Sequence, residues 1–375
     1  MGNETASIRK EMERLSDEYK RFVGRKISFI VASVLLIFIT AGVSVTLGPY
    51  DISFIDAYSI IFQGMHDIIF RFHNIYAFIQ FLDENYMVKE WVIWQQRLPP
   101  IVMGVIAGIS LGIAGAEMQG ILRNPLASPY TLGISSAAVF GAALAIIINL
   151  SIVRAADERF LIVVNAFFFA ILSSSLIYGI SKMKNATPET MILAGIAITY
   201  LFMALTQLLK YFAPAEEVKE TVVWSFGALS ANWSEILISF VIVLPCVPVL
   251  MLKVWDLNVM SAGDEVAKSL GVDVERTRQL CFFLSSFLTA GTVCFTGPIS
   301  FIGLVSPHIC RMVIGADNRF LVPASGLFGA ALLIAADTVA KIVISPVIIP
   351  VGIITAFMGV PLFLYLILRR SREYW

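Results

Sequence analysis

Long apolar runs separated by short polar breaks dominate this chain. They fall at roughly 27–47, 97–118, 129–149, 159–182, 189–211, 235–254, 277–296, 321–344 and 350–369. A helix rises 1.5 Å per residue, so about 20 largely apolar residues cross a hydrocarbon core about 30 Å thick. Each of these runs is therefore a candidate membrane span. A shorter run, 299–313, lies between Gly297-Pro298 and Gly315. It reads as a half-helix packed inside a bundle, where irregular backbone is tolerated. Counting it gives ten segments, an even number that puts both termini on one side. With the N-terminus inside, 19 of the 27 Lys and Arg residues fall on inner segments. That bias sets the expectation of cytoplasmic N- and C-termini. The expected fold class is all-α, a polytopic membrane protein with about ten transmembrane helices.

The breaks between the runs give the domain plan. Residues 1–26 read as a charged amphipathic segment on the cytoplasmic face, 27–370 as a single transmembrane domain, and 371–375 as a cytoplasmic tail. Within the membrane domain, 48–96 forms an outer segment with its own apolar stretch, and 255–276 forms the longest inner loop. The first apolar run could be taken for a signal peptide. It follows 26 mostly polar residues and lacks a small-residue cleavage site, so it is expected to stay as a helix. Gly2 does not open a myristoylation motif, because Ala6 stands where Ser or Thr is required.

Composition agrees with the bilayer reading. Hydrophobic residues make up 58% of the chain and charged residues 14%, where soluble domains are about a quarter charged. The mean hydropathy is +0.82. One soluble core of this length could not hide so much apolar surface. The formal net charge is zero, so nothing points to nucleic acid. Cys246, Cys281, Cys294 and Cys310 all lie in or beside apolar segments and form no CxxC pair. They read as small buried hydrophobes.

The chemistry that is missing narrows the function. A phosphate-binding P-loop needs a Gly-Lys step, and no lysine here follows a glycine. ATP is therefore not expected to bind this chain in that way, and no cofactor is assigned to it. His66, His73 and His308 are far apart or sit in a loop, so no metal site is expected. No HExxH and no hydrolase elbow occurs, which leaves an intramembrane enzyme without a nucleophile or base.

The richest motif begins at Gly115-Ala116-Glu117-Met118-Gln119. It continues through Arg123-Asn124-Pro125-Leu126-Ala127 and Pro129-Tyr130-Thr131-Leu132-Gly133. Asn-Pro and Ser-Pro steps end one helix and aim the next. Together with Arg97-Leu98-Pro99, these residues resemble the permeases of iron-siderophore, haem and cobalamin ABC importers. The resemblance continues in order along the chain. It takes in Leu193-Ala194-Gly195, Trp224-Ser225-Phe226-Gly227 with Trp233, and Gly263-Asp264-Glu265 with Ala267 and Leu270-Gly271-Val272. Next comes the block from Gly297-Pro298 through Gly303 to Pro307-His308 and Arg311. Ala336-Asp337-Thr338 and Pro350-Val351-Gly352, with Gly359 and Pro361, complete it.

The resemblance implies a type II ABC importer permease working as a homodimer by alternating access. Two P-loop ATPase subunits carrying ATP and Mg would sit on the cytoplasmic face, with an extracytoplasmic binding protein above. It implies that Asp264, Glu265, Ala267, Leu270, Gly271 and Val272 form a short coupling helix. Asn185, Ala186, Thr187, Pro188 and Glu189 would stand at the inner mouth of the pathway. Gln119, Asn124, Pro125, Gly297, Pro298, Gly303, Pro307 and His308 would be structural. Arg97 and Lys341 would be outer charges that dock the binding protein. The pattern departs at Pro100, where the family has arginine, and at Ile348, where it has glutamate, and both changes remove outer charges. Glu117 is costly near the end of an apolar helix without a partner; it is expected either to pair with Arg123, the preferred reading, or to face the pathway. The main rival is an ion-coupled secondary transporter, which calls for buried relay residues. Only Glu117 and Asp337 offer themselves. The cargo class implied spans iron-siderophore, haem and cobalamin-type substrates.

Overall fold

The computed structural model describes residues 2–48, 50, 52–71, 88–152, 157–184 and 186–368; regular structure among them is helical throughout. The helices are α1 (Gly2–Thr46), α2 (Phe54–Arg71), α3 (Val88–Leu122), α4 (Ile134–Ile148), α5 (Glu158–Lys182), α6 (Pro188–Phe212) and α7 (Ala215–Ser225). They continue as α8 (Trp233–Val243), α9 (Cys246–Met260), α10 (Asp264–Ser269), α11 (Val274–Thr296), α12 (Ile302–Ile314), α13 (Asn318–Ile342) and α14 (Val351–Leu368). Seven stretches are long and apolar enough to cross a membrane, with α8 and α9 forming one of them. Three shorter apolar helices, α4, α12 and α14, complete the ten crossings expected. With 13 residues, α12 rises only about 20 Å and is the half-helix anticipated between Gly297 and Gly315.

Three boundaries differ from expectation. No break separates residues 1–26 from the first span, because α1 runs through as one helix of 45 residues. Arg97 caps the α-helical part of α3, Leu98–Leu122, as its motif predicts, but the helical stretch begins upstream of it. Residues Val92–Arg97 form a π-helical stretch near the start of α3, with the Leu98 N–H bonded to Ile93 O. Pro99 and Pro100 bring no N–H of their own, and a π stretch reroutes the backbone bonds that these prolines interrupt. The inner loop also contracts. Helix α9 extends to Met260 and α11 starts at Val274, so the expected 255–276 loop becomes a tight hairpin holding α10.

Helices α3, α11 and α13 form the centre. Their most apolar windows are 72%, 72% and 67% buried, against 11% for α1 and 28% for α6. The centre is tight because α3 offers glycine where other backbones pass. A side chain at Gly108 would meet the backbone of Ala330, one at Gly112 the Ser325 carbonyl, and one at Gly115 the Gly303 carbonyl. In lipid, helices associate through such small-residue contacts because burial from water no longer drives them together.

Candidate functional site

At one end of the bundle three separated motifs meet. The Ala228 N–H donates to Thr296 O, and the Gly352 N–H donates to Gly227 O. A side chain at Gly227 would strike Pro298 O, and one at Gly352 would strike Phe226 O. Gly297 and Gly227 have φ of 67° and 74°, a region that disfavours side chains. The Trp-x-x-Gly, Gly-Pro and Pro-Val-Gly motifs are thus one backbone knot.

Both residues expected to dock a binding protein sit near this end, and both are engaged within the chain. Arg97 is 6% exposed, and its guanidinium donates to the carbonyls of Val45 and Tyr50. The Lys341 ammonium lies 2.6 Å from the Asp337 carboxylate, with both side chains largely buried. Neither stands as a freely exposed charge. Asp337 as half of an ion pair also weakens it as a relay residue.

The opposite end carries the hairpin helix. Asp264 begins α10 after Gly263, whose φ is 114°. Ala267 packs with Met260, Val274, Val259 and Val272, so the hairpin has a small core of its own. Val266 and Leu270 point away from it, 46% and 67% exposed. The helix ends at Ser269 with Leu270 as its C-cap, so Gly271, with φ of 86°, and Val272 lie just beyond it. The result is a rigid knob with an outward apolar stripe flanked by the exposed Glu265–Lys268 pair at 2.9 Å. Hydrogen bonding from Lys268 to Glu265 raises the lysine above its ordinary value.

Asp264 ties this knob to the bundle. Its two oxygens accept from Arg278 Nη2 at 2.8 and 2.9 Å, and Arg123 approaches at 3.5 Å. Arg278 was not singled out in the sequence, where it reads as one more inner positive charge. Of the expected gate residues, Asn185 lies outside the described residues. Ala186 is buried, with φ of 47°. Thr187 caps α6 by accepting from the Thr190 N–H, Pro188 occupies the first turn, and Glu189 is exposed.

Gln119, Asn124 and Pro125 of the structural motif hold the same end, whereas Gly297 and Pro298 belong to the knot opposite. Gln119 donates to Leu304 O at 3.4 Å and accepts from Arg311 Nη2 at 3.0 Å, fastening α3 to α12. Arg123 is the left-handed C-cap of α3. Asn124 Oδ1 accepts from the Leu126 N–H at 2.9 Å, which closes the turn that contains Pro125. Pro307 is buried within α12 and His308 is half-buried. Glu117 does not pair with Arg123. It is fully buried in the centre, and neither carboxyl oxygen has a hydrogen-bond partner. Among the described residues no group of three or more His, Cys, Asp and Glu is placed to hold a metal.

Between the two ends, α4 and α6 line a cavity of about 260 Å³, bordered by Ser135, Ser136, Thr199, Thr206, Gln207 and Lys210. Val139 and Met203 complete the lining, so hydroxyl, amide and apolar groups share it. Beside it α6 exposes Leu193, Tyr200 and Leu201.

Among the described residues, seven apolar spans and three shorter apolar helices around a glycine-faced centre, with a cavity between spans and a compact knob at one end, define a polytopic membrane permease. The chain belongs to the FecCD transport family, whose pattern matches residues 34–369. It is 41% identical over 371 residues to an ABC transporter permease protein of Methanocaldococcus jannaschii, covering 96% of this chain and 99% of that one. It is 38% identical to the haemin transport system permease protein of Yersinia pestis, covering 76% and 85%. Among solved structures, an inward-facing conformation of a metal-chelate type ABC transporter superposes with a TM-score of 0.76. That match has 31% identity and covers 92% of this chain and 99% of that one.

Proposed function

We propose that the chain is the membrane-spanning permease subunit of an ATP-driven importer, and that it works as a homodimer with two P-loop ATPase subunits and a substrate-binding protein. The observation that carries this reading is the knob α10, which presents Val266 and Leu270 outward while Asp264 ties it to the buried Arg278. A helix held in this way can enter a groove on an ATPase and pass its closure into the bundle. ATP and Mg belong to those partner subunits. The α10 end is cytoplasmic, in keeping with the Lys and Arg bias, and both termini lie on that side.

A second copy fits the face of α6. That span is only 28% buried, and a copy set against it closes the cavity along α4 and α6 into a shared path. The cargo class is a metal chelate or tetrapyrrole, after the haemin and metal-chelate relatives. The path offers hydroxyls and no metal ligands, so selection among cargoes rests with the binding protein.

The test is affinity purification of the tagged chain from native membranes, with mass spectrometry and an ATPase assay. A P-loop ATPase recovered at equal stoichiometry is the expected result. Recovery of this chain alone from several detergents, with no ATPase activity, sinks the reading in favour of an ion-coupled transporter.

A further inference from the structure

Arg278 lies in the second turn of α11 and is 4% exposed, yet it touches three other parts of the chain. Its Nε donates to Ile121 O in the last turn of α3 at 3.2 Å. Its Nη1 donates to Ala186 O, in the loop that enters α6, at 3.4 Å. Its Nη2 holds both oxygens of Asp264, the first residue of α10. We infer that Arg278 is the positioning residue that makes the gate loop before α6 follow the knob α10. This rests on the coupling reading given above.

A guanidinium is a rigid plane whose donors cannot turn independently. Moving Asp264 therefore either rotates the plane away from Ala186 O and Ile121 O, or breaks the charge pair. Breaking the pair alone strands a buried cation, which is strongly unfavourable. Displacing any one partner therefore leaves donors of a buried cation unsatisfied. The gate side is held in a defined shape. Ala186 sits at a φ of 47°, outside the comfortable range for a residue with a side chain, and its N–H is tied back to Ser181 O at 2.8 Å. Charge surrounds the same point. Arg123, the C-cap of α3, reaches Asp264 from the other side, and Glu189 in the first turn of α6 feels both guanidinium groups. The ends of α3, α6, α10 and α11 thus share one charged junction.

The experiment uses the assembled complex with its ATPase subunits, reconstituted in lipid nanodiscs. Lys184→Cys supplies a reporter, since Lys184 is exposed in the α5–α6 turn and the native cysteines are all buried. Labelling by a membrane-impermeant maleimide is timed without nucleotide and with Mg-ATP plus vanadate. The reporter protein should change its labelling rate at least fivefold between the two states. In Arg278→Lys, which keeps the charge and loses the fork, the change should fall below twofold. Asp264→Asn, which leaves the two carbonyl contacts of Arg278 in place, should lose it too and carries the test if the Arg278 variant fails to assemble. A merely structural arginine would lower the melting temperature and leave the nucleotide response intact. A responsive reporter protein with an equally responsive Arg278→Lys overturns the proposal while the coupling reading stands. A reporter protein with active ATPase and no nucleotide response overturns both.

Discussion

Lys26 and Asp317 are 291 positions apart in the chain, and the lysine Nζ donates to the Asp317 carboxylate at 3.3 Å. Lys26 is 1% exposed and lies over the rings of Phe22 and Phe320 at 4.1 and 4.7 Å. Asp317 also caps α13 and accepts from Arg319 and from Asn258 of α9. One carboxylate therefore joins α1, α9 and α13. Asp317→Asn should destabilise the protein by about 3 kcal/mol, the usual loss when one partner of a buried pair is removed. Adding Lys26→Met should recover much of that loss. Thermal unfolding in detergent measures both, and a double variant no better than the single one contradicts the pairing. Burial pushes the Asp317 carboxyl up, but the bonds from Arg319 and Asn258 and the charge of Lys26 outweigh it and hold the group well below the usual range. A group depressed in this way contributes stability that is full above its unfolded value of about 4 and drains away as pH falls below it. The parent protein should accordingly lose melting temperature more steeply between pH 5 and 3 (about one unit either side of that unfolded value) than Asp317→Asn does.

At the scale of elements, the decisive contacts are backbone against backbone. Gly112 of α3 faces the Ser325 carbonyl and Gly326 of α13, so no flexible side chain is there to give way. Gly112→Leu should destabilise by at least about 3 kcal/mol and cut the yield of folded protein from membranes, whereas the same change at Gly179, with nothing within 4 Å, should leave both nearly unchanged. Equal yields would show that α3 and α13 are not so tightly apposed. The ten crossings were legible because hydropathy alone identifies spans, and the α10 knob was legible from its Gly-bounded amphipathic pattern. The start of α3 was not, because Pro99 and Pro100 carry the signature of a helix opening and the π stretch that bypasses it leaves no mark in composition. The spacing of Gly104, Gly108 and Gly112 is a readable sign of close helix approach, but a pass for hydropathy overlooks it. Arg278 was invisible for a different reason. Its partners are two backbone carbonyls and a carboxylate 14 positions away, and carbonyls carry no sequence signal.

At the scale of the whole molecule, the first two residues of α10 divide the labour of coupling. Glu265 has a side chain 88% exposed and pairs with Lys268 on the same turn, a solvent-screened contact that contributes little to stability. Asp264 has a side chain 24% exposed and holds Arg278. One faces outward to where an ATPase would sit, and the other faces inward to the gate. Reversing them should therefore fail in different ways. Glu265→Lys should weaken retention of the ATPase subunit on the affinity-purified permease, most visibly at low salt, because exposed charges act on association and are screened within about 10 Å at 0.1 M. Complexes that survive should still link nucleotide state to gate labelling. Asp264→Lys should retain the ATPase and lose that link, since it sets a third positive charge against Arg278 and Arg123. Subunit stoichiometry across a salt series, read beside nucleotide-dependent labelling, separates the two effects. If both reversals released the ATPase, the two residues would share the docking role; if both left it bound with the link intact, α10 would be a passive surface helix. The tie from Asp264 through Arg278 to Ala186 would then serve stability alone.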